Sequence, residues 1–473
     1  MAWSNLFACK NEDTRHAWGY TFQWTPNHLT KEQMHPLKYS YDVLGEDALN
    51  ALDRISPPDS RELPRNQSRR PTKEVPDAPP PSGRDLYALL RDHASEDPKL
   101  EALWNEVNNV PAWVDWQQIA RGQDVFYRYG AVALTALAYQ SLLGGMGAAR
   151  VVEVLSRTGG FSANVARHRM FETTQHILQV TKSLEAIKPG GEGHASSIRV
   201  RLLHAAVRRR IMKLASERPE YYSVQENGIP INDLDSIATI GTFSATLIWL
   251  GFPRQGIWLK DQEIIDYIAL WRLVAHYVGS PSSFFENPEQ ARHIMESILI
   301  AEINPSETSK ALANNIILSL QGQAPSYASR DFLNANTRWL NGNELSDALG
   351  IGKPSFYYTA LVAGQCIFFM ALCYTYRSIP YLDKRKIKAL RRIFWAVIVE
   401  NKTHGLGKET DFEFKHIPNF HTNTAMGELK DTGLKESGIE QRNLRTLVIA
   451  STAVAAFSWI GMRIGYLIFR SLL

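Results

Sequence analysis

Helical periodicity in residues 85–400 constrains the fold more than any other feature of this sequence. The segment DLYALLRDHASEDPKLEALWNEV, residues 85–107, repeats apolar residues at intervals of three and four, the spacing of one face of an α-helix. The alternation of apolar and polar residues that marks strands is almost absent. The sequence therefore predicts a single large all-α domain over 85–400. Its later helices are expected at about 129–155, 161–187, 196–216, 234–250, 262–279, 287–300, 306–319, 343–350, 354–377 and 383–400.

Charge and cysteine content exclude several classes of protein. Lys and Arg number 52 against 48 Asp and Glu, so no strong positive field favours nucleic acid as a partner. The three cysteines are too few for a disulfide framework and show no CxxC metal spacing. Cys366 and Cys373 share one face of a predicted helix and are expected to be buried free thiols. The start of the chain lacks the pattern of a secretory signal, so none is expected.

Two segments flank the predicted domain with different compositions. Residues 1–84 form an N-terminal extension: 1–52 is aromatic-rich and is expected to be ordered but not autonomous, and 53–84 is a proline-rich linker. Residues 401–444 are polar and contain glycine, which predicts a tether. The sequence leaves the oligomeric state open.

The C-terminal segment 445–470 is predicted to be a transmembrane helix. Residues 446–469 contain one charged residue, Arg463, and about 20 apolar residues are enough to span a bilayer. Arg442 and Arg445 precede the segment and only Arg470 follows it, so the positive charge favours a tail anchor with a cytosolic domain. The uncharged segments 129–149 and 354–376 are also long enough to span, but a large α domain needs apolar central helices, and we expect them to lie in its core.

The segment RVRLLHAAVRRR, residues 199–210, places His204 among small apolar residues within an arginine-rich helix. An iron porphyrin needs an imidazole on a rigid helix with small neighbours, and its propionates favour arginines. Arg201 and Arg208 lie three residues before and four after His204, on one helical face. The same pattern also suits an ordinary core histidine on a basic helix, and the local residues leave both readings open.

Several motifs together resemble the latex-clearing protein (rubber oxygenase) catalytic-domain family, which includes fungal membrane-bound oxygenases that cleave prenyl chains. They are RTGGF (157–161), RHRMFET (167–173), PGGEG (189–193), IRVRLLHAAVRRR (198–210) and EIIDYIALWRLVAHYVG (263–279). The resemblance implies an all-α, globin-like domain that binds one haem b and uses O₂.

The resemblance also implies roles for individual residues. His204 matches the proximal haem ligand and is the predicted metal-binding residue, and Arg201 matches an arginine near the haem. Glu153 matches a distal glutamate proposed as the catalytic base. Arg169 and Thr173 match residues that line the distal haem pocket.

Glu172 departs from the family pattern, because latex-clearing proteins carry a lysine at this position. Glu172 therefore has three readings: it lies over the iron, it pairs with Arg169, or it faces solvent. The predicted cofactor-binding residues are therefore His204, Arg201, Arg208 and Glu172.

The resulting functional prediction is a haem-dependent oxygenase that cleaves C=C bonds of a lipophilic, isoprenoid small molecule. The tail helix predicts a single-pass membrane protein of the endoplasmic reticulum. Two alternatives stay open at this point. The first is a haem peroxygenase or hydroxylase, and the second is a non-enzymatic, membrane-anchored protein that binds haem or a lipid.

Overall fold

The computed structural model describes residues 11–58, 84–412, 417–422, 424–428 and 438–472. The central part of the predicted proline-rich linker, residues 59–83, lies outside the described residues, as does Cys9.

The N-terminal extension begins with a hairpin of two short antiparallel strands, β1 (Thr14–Ala17) and β2 (Tyr20–Gln23), in which Thr14 pairs with Gln23. Helices α1 (Lys31–Met34) and α2 (Val43–Ile55) follow. Leu49 and Leu52 of α2 are fully buried in a cluster with residues of the helical domain. The described part of the extension is therefore integrated into the domain.

Helices form nearly all the remaining regular structure of the described residues, and the predicted all-α fold is confirmed apart from the hairpin. The first group is α3 (Leu86–His93), α4 (Pro98–Asn108), α5 (Trp116–Arg128), α6 (Gly130–Ala136), α7 (Ala149–Thr158), α8 (Ala166–Thr181), α9 (Leu184–Ile187), α10 (Glu192–Glu217) and α11 (Val224–Asn227). The second is α12 (Asp233–Phe243), α13 (Asp261–Tyr277), α14 (Pro288–Ala301), α15 (Glu307–Leu320), α16 (Arg330–Ala348), α17 (Phe356–Ser378), α18 (Pro380–Trp395) and α19 (Gly438–Leu472). The globin-like character implied by the resemblance stays a prediction.

In the described residues, three π-helical segments come after α-helices. Leu137–Gly144 directly follows α6, Ala396–Glu400 directly follows α18, and Leu247–Gly251 comes shortly after α12. The helix predicted over 129–155 is divided in two, because the chain bends by 96° between Gly144 and Ala149. The bend places α7 across the end of the preceding helix.

Helix α16 begins at Arg330, well before the predicted start at 343. Ser329 caps it by accepting the backbone N–H of Phe332, and Gly342, with a φ of 79°, breaks the helical geometry inside it. Its first half buries Asn334 and Asn336, so the buried face is partly polar. A search for apolar periodicity misses such a face.

The core lies around α13, which packs closely along α5. A Cβ at Gly122 of α5 would lie 2.3 Å from the carbonyl oxygen of Asp266, so only glycine permits this approach. The large rings of Tyr267, Trp271 and Tyr277 on α13 are fully buried there.

Among the described residues, three helical segments are long and apolar enough to cross a membrane, and a bent pair formed by Gly130–Gly144 and Ala149–Thr158 would add a fourth. Burial distinguishes them: of an apolar 18-residue stretch in each segment, 61% is buried in the domain for Asp233–Gly251 and 39% for Phe356–Ser378, against 0% for Gly438–Ile464. The C-terminal helix is therefore the strongest candidate span. Its first turns pack on α17, where a Cβ at Gly364 would meet the carbonyl oxygen of Asn443 at 2.3 Å.

Cys366 and Cys373 are buried free thiols on α17, as predicted. The described parts of 401–428, within the predicted tether, pack on the helical domain. Asn315 of α15 donates to the carbonyl oxygen of Ala425, and Arg210 of α10 donates to that of Pro418.

Candidate functional site

A cavity of about 500 Å³ lies inside the helical domain, within the range of sites that hold drug-sized ligands. Its walls are mostly apolar. Residues of α7, α8, α10, α12 and α14 line it, together with the π-helical segment after α6 and Phe412 from the C-terminal segment. The cavity is thus assembled from parts of the chain that are far apart in sequence.

Two glycine motifs position the helices on which the candidate residues lie. Gly159 ends α7 with a φ of 71°, a left-handed conformation that lets the chain turn into α8. A Cβ at Gly193, in the first turn of α10, would lie 2.7 Å from the carbonyl oxygen of Gln179 on α8. The glycines of RTGGF and PGGEG therefore allow α8 and α10 to lie side by side, both facing the cavity.

His204 lies on α10 and lines the cavity beside Leu203 and Val207. Neither ring nitrogen forms a hydrogen bond with any residue that the structure describes. Burial, reinforced by the positive charges of Arg208 and Arg169, lowers the pKa of the imidazole to about 4. His204 is therefore neutral at physiological pH and retains the lone pair that a metal requires.

Arg169, Glu172 and Thr173 of α8 line the same cavity. Glu172 is 5% exposed and accepts a hydrogen bond of 2.7 Å from Nη1 of Arg169 through Oε2. Its other oxygen, Oε1, accepts one of 3.3 Å from the hydroxyl of Thr410. Of the three readings of Glu172, the structure favours pairing with Arg169 at the cavity wall over a solvent-facing side chain.

A second histidine, His176, also lines the cavity and was missed by the sequence analysis. Its Nδ1 lies 3.0 Å from the hydroxyl of Ser196 on α10, and burial lowers its pKa to about 4. His176 follows Glu172 by four residues, so the two share one face of α8. The spacing of four residues from Glu172 could therefore have identified His176 as a candidate for the same pocket.

Glu153 lies outside the main cavity. Its carboxylate accepts a hydrogen bond of 2.6 Å from Nη1 of Arg157 within α7, and both residues line a separate depression with Tyr221 and Phe420. The structure does not bring Glu153 together with His204 in one pocket. Its role as a base stays a prediction.

Arg201 also points away from the cavity. It is 3% exposed, pairs with both carboxylate oxygens of Asp42 at 2.7 Å, and donates to Glu106 at 2.7 Å. The cavity opens on the side of α10 that carries Val200, Leu203 and Val207, with His204 at its edge.

Arg208 is placed on the same side of α10 as Arg201. It is 2% exposed, and its guanidinium lies 4.6 Å from the centre of the Tyr41 ring, with Glu46 3.7 Å away. Helical spacing predicted that both arginines share the face of His204, but they pack on the N-terminal extension while His204 lines the cavity. Neither arginine is placed to meet a ligand in the cavity.

A bare metal ion would lack ligands here, since the described residues contain no group of three or more His, Cys, Asp or Glu side chains able to hold one. The imidazole of His204, which has no hydrogen-bond partner among the described residues, would instead suit a metal held in a macrocycle, for which the protein need supply only one ligand.

Comparison with known proteins identifies the family to which this chain belongs. The family model "ER-bound oxygenase mpaB/B'/Rubber oxygenase, catalytic domain" matches residues 116–371. A rubber oxygenase of Streptomyces sp. (strain K30) is 20% identical over 260 residues, which cover 54% of this chain and 61% of that protein. Aurantioclavine synthase cnsA of Penicillium expansum is 58% identical over 33 residues, 7% of each chain. The chain thus matches only part of the length of both relatives.

The fold is shared with a solved structure, that of the latex clearing protein LCP in the closed state. The TM-score is 0.52 and the identity 16%, and the match covers 75% of this chain and 91% of that one. Because the family model spans more than half of the chain, the protein described here belongs to the family of ER-bound oxygenase mpaB/B'/rubber oxygenase catalytic domains.

Proposed function

We propose that this chain is a haem b-dependent oxygenase that uses O₂ to cleave a C=C bond of a lipophilic, isoprenoid substrate. The observation that carries the proposal is His204: a neutral imidazole, without a hydrogen-bond partner among the described residues, on the wall of a large apolar cavity. An imidazole that lines a cavity and has no hydrogen-bond partner would be available as a ligand to a haem iron. Membership of an oxygenase family gives the reaction class.

The residues around His204 fit a haem. The cavity volume and the apolar walls, which include Val200, Leu203 and Val207 around His204, suit a macrocycle. His204 would hold the iron, and a bound haem would supply O₂ activation. Arg169 would offer cationic donors at the cavity wall, oriented by its ion pair with Glu172.

The other residues of α8 would shape the space in which the substrate lies. The hydroxyl of Thr173 donates to the backbone carbonyl of Arg169 at 3.1 Å, which leaves its oxygen free to accept a hydrogen bond. Glu172 would hold the side chains of Arg169 and Thr410 in position at the pocket wall, since both donate to it. The family resemblance implies that Glu153 removes an allylic proton, but Glu153 lies outside the main cavity, and the proposed reaction does not depend on it.

We further propose that α19 anchors the chain in the endoplasmic reticulum membrane, with the helical domain in the cytosol. The exposed apolar residues of this helix include Val454, Phe457 and Trp459, and the burial of such side chains in a bilayer is favourable. An anchored domain would meet its substrate where lipophilic molecules accumulate.

The test is the absorption spectrum of the purified full chain. We expect a Soret band in the wild type, its loss in His204→Gly, and its recovery when imidazole is added to that variant. His194→Gln is the matched control: His194 lies buried on the same helix, but its Nε2 is 2.9 Å from the carbonyl oxygen of Val107 and its Nδ1 accepts from Gly190 N–H. This variant should keep the band. A folded wild type that binds no haem would refute the proposal.

If the protein binds haem and oxidises a farnesylated test substrate, the products then show which reaction takes place. Two carbonyl fragments indicate cleavage, and an oxygenated product with all double bonds intact indicates hydroxylation.

A further inference from the structure

A cluster of charged side chains interrupts the apolar wall of the cavity. Arg150 at the start of α7, Asp235 on α12 and Glu302 just after α14 all line the cavity. Nη2 of Arg150 lies 3.0 Å from Oδ1 of Asp235 and 2.7 Å from Oε2 of Glu302. Lys38 of the N-terminal extension adds a second cation, 2.9 Å from Oε1 of Glu302. The cluster is balanced in charge, with two cations and two carboxylates.

The donors of this cluster are already engaged with protein atoms. Nε of Arg150 donates to Glu302 at 2.7 Å, Nη1 to the backbone carbonyl of Asn227 at 2.9 Å, and Nη2 to Asp235. Every guanidinium nitrogen therefore has an acceptor. A ligand that reaches this wall finds little unused donor capacity.

One acceptor of the cluster, Oδ2 of Asp235, has no hydrogen bond among the described residues. Asp235 uses Oδ1 for Arg150, and its Oδ2 receives no hydrogen bond from any residue that the structure describes. Asp235 is only 6% exposed, and it belongs to the cavity wall. Burial, with a contribution from Glu302, raises its pKa to about 6 against the opposing effect of Arg150. It is therefore ionised near pH 7.5 and seeks a donor.

Apolar side chains surround this acceptor. Leu234 precedes Asp235 on α12, and Ile298, Leu299 and Ile303 flank Glu302 on the cavity wall. A ligand with a long apolar body could thus bury that body in the cavity and bring one polar end to Asp235.

We propose that Asp235 selects amphipathic substrates whose polar end donates a hydrogen bond, a hydroxyl or amine group, and disfavours those that end in a carboxylate or phosphate. A donor end would give Oδ2 of Asp235 the hydrogen bond that it lacks. An anionic end would be repelled by Asp235 and Glu302, because Arg150 is already paired with both carboxylates. The proposal deepens the proposed function by naming the substrate class, and it takes only the isoprenoid body from that function.

The test measures binding of three probes with the same farnesyl tail, farnesylamine, farnesol and farnesoic acid, to the full chain in detergent at pH 7.5. Charge-assisted hydrogen bonds to a carboxylate justify an expected preference of about tenfold or more for the amine over the acid. Asp235→Asn should abolish most of that preference. Asp266→Asn is the matched control, because Asp266 is also a buried, arginine-paired carboxylate but lies outside the cavity wall. It should keep the wild-type ratio.

Equal affinities for amine and acid in the wild type would overturn the inference, and this result does not depend on the folding of any variant. A preference that survives in a folded Asp235→Asn protein would overturn it as well. The readout is binding and not turnover, so its failure is distinct from that of the proposed function. The absence of a Soret band in the full chain would refute haem dependence, but it would leave the binding preference attributed to Asp235 intact.

Discussion

Arg201 offers the sharpest test of how the structure assigns roles, because the family resemblance implies a place near the haem and the structure places it in a buried ion cluster. The perturbation is Arg201→Met, which keeps the length of the side chain and removes its charge. Asp42 then loses both bonds of its bidentate pair, and Glu106 loses one. Asp42 is mostly buried, so its charge is left without compensation.

The magnitude follows from the burial. Breaking a buried ion pair by removing one partner costs about 3–5 kcal/mol of folding free energy. Residues 11–58 and 84–412 make up roughly 380 residues, which at about 2.1 cal/mol/K each gives an unfolding entropy of about 0.8 kcal/mol/K. The expected decrease in Tm is therefore about 4–6 °C.

Thermal unfolding followed by circular dichroism measures this decrease, and the Soret band at 10 °C measures cofactor binding in the same samples. Arg209→Met is the matched control on the same helix. Arg209 pairs with Asp53 and Asn50, but its side chain is 35% exposed, so its loss should cost less than about 1 kcal/mol.

We expect Arg201→Met to keep its Soret band while it remains folded. A variant with an unchanged Tm and no Soret band would refute the structural role and support the role that the resemblance implies. Combining it with Asp42→Asn should recover part of the lost stability, because the neutral amide removes the buried charge.

The remaining predictions concern packing, pH, the predicted base and the anchor. Gly193→Val should lower the Tm and the haem content, because a Cβ there meets Gln179 of α8, whereas Gly241→Ala, with open space around its Cβ, should change the Tm little. Thermal unfolding of both variants checks this. Burial lowers the pKa of His194 from 6.5 to about 4, so the folded state binds its proton more weakly than the unfolded state does. His194 therefore costs stability as the pH falls from about 6.5 to 4, by about 3 kcal/mol in total, and the Tm of His194→Gln should fall less steeply with acid than that of the wild type. Glu153→Gln should keep the Soret band and most of the turnover, since Glu153 lies outside the main cavity; loss of turnover with the band intact would support its role as the base. A chain ending before Gly438 should move from the membrane fraction to the soluble fraction after centrifugation, and an unchanged distribution would contradict the anchor.

Periodicity and motif spacing anticipated most of the fold. Helical repeats located α10, α13, α14, α15 and α17 within a few residues, because these helices bury apolar side chains at helical spacing, whereas the segment predicted over 161–187 is divided into α8 and α9. The same signal failed for the first half of α16, whose buried face includes Asn334 and Asn336. It also missed the bend before α7, which depends on packing against other parts of the domain.

The candidate site was only partly visible in the sequence. His204, Arg169, Glu172 and Thr173 were predicted together, and the structure brings all four to one cavity. Asp235 was not anticipated, since nothing near it in sequence indicates that Arg150, Lys38 and Glu302 converge on it.

The spacing of residues along the chain sets the angular position of each side chain on its helix, and composition sets the apolar length of the C-terminal segment. Which side of α10 faces the cavity depends on tertiary packing. Arg201 precedes His204 by three residues, so helical spacing alone predicts a shared face. In the structure His204 lines the cavity, whereas Arg201 pairs with Asp42, 159 residues away in the chain, and no local pattern records a contact at that separation.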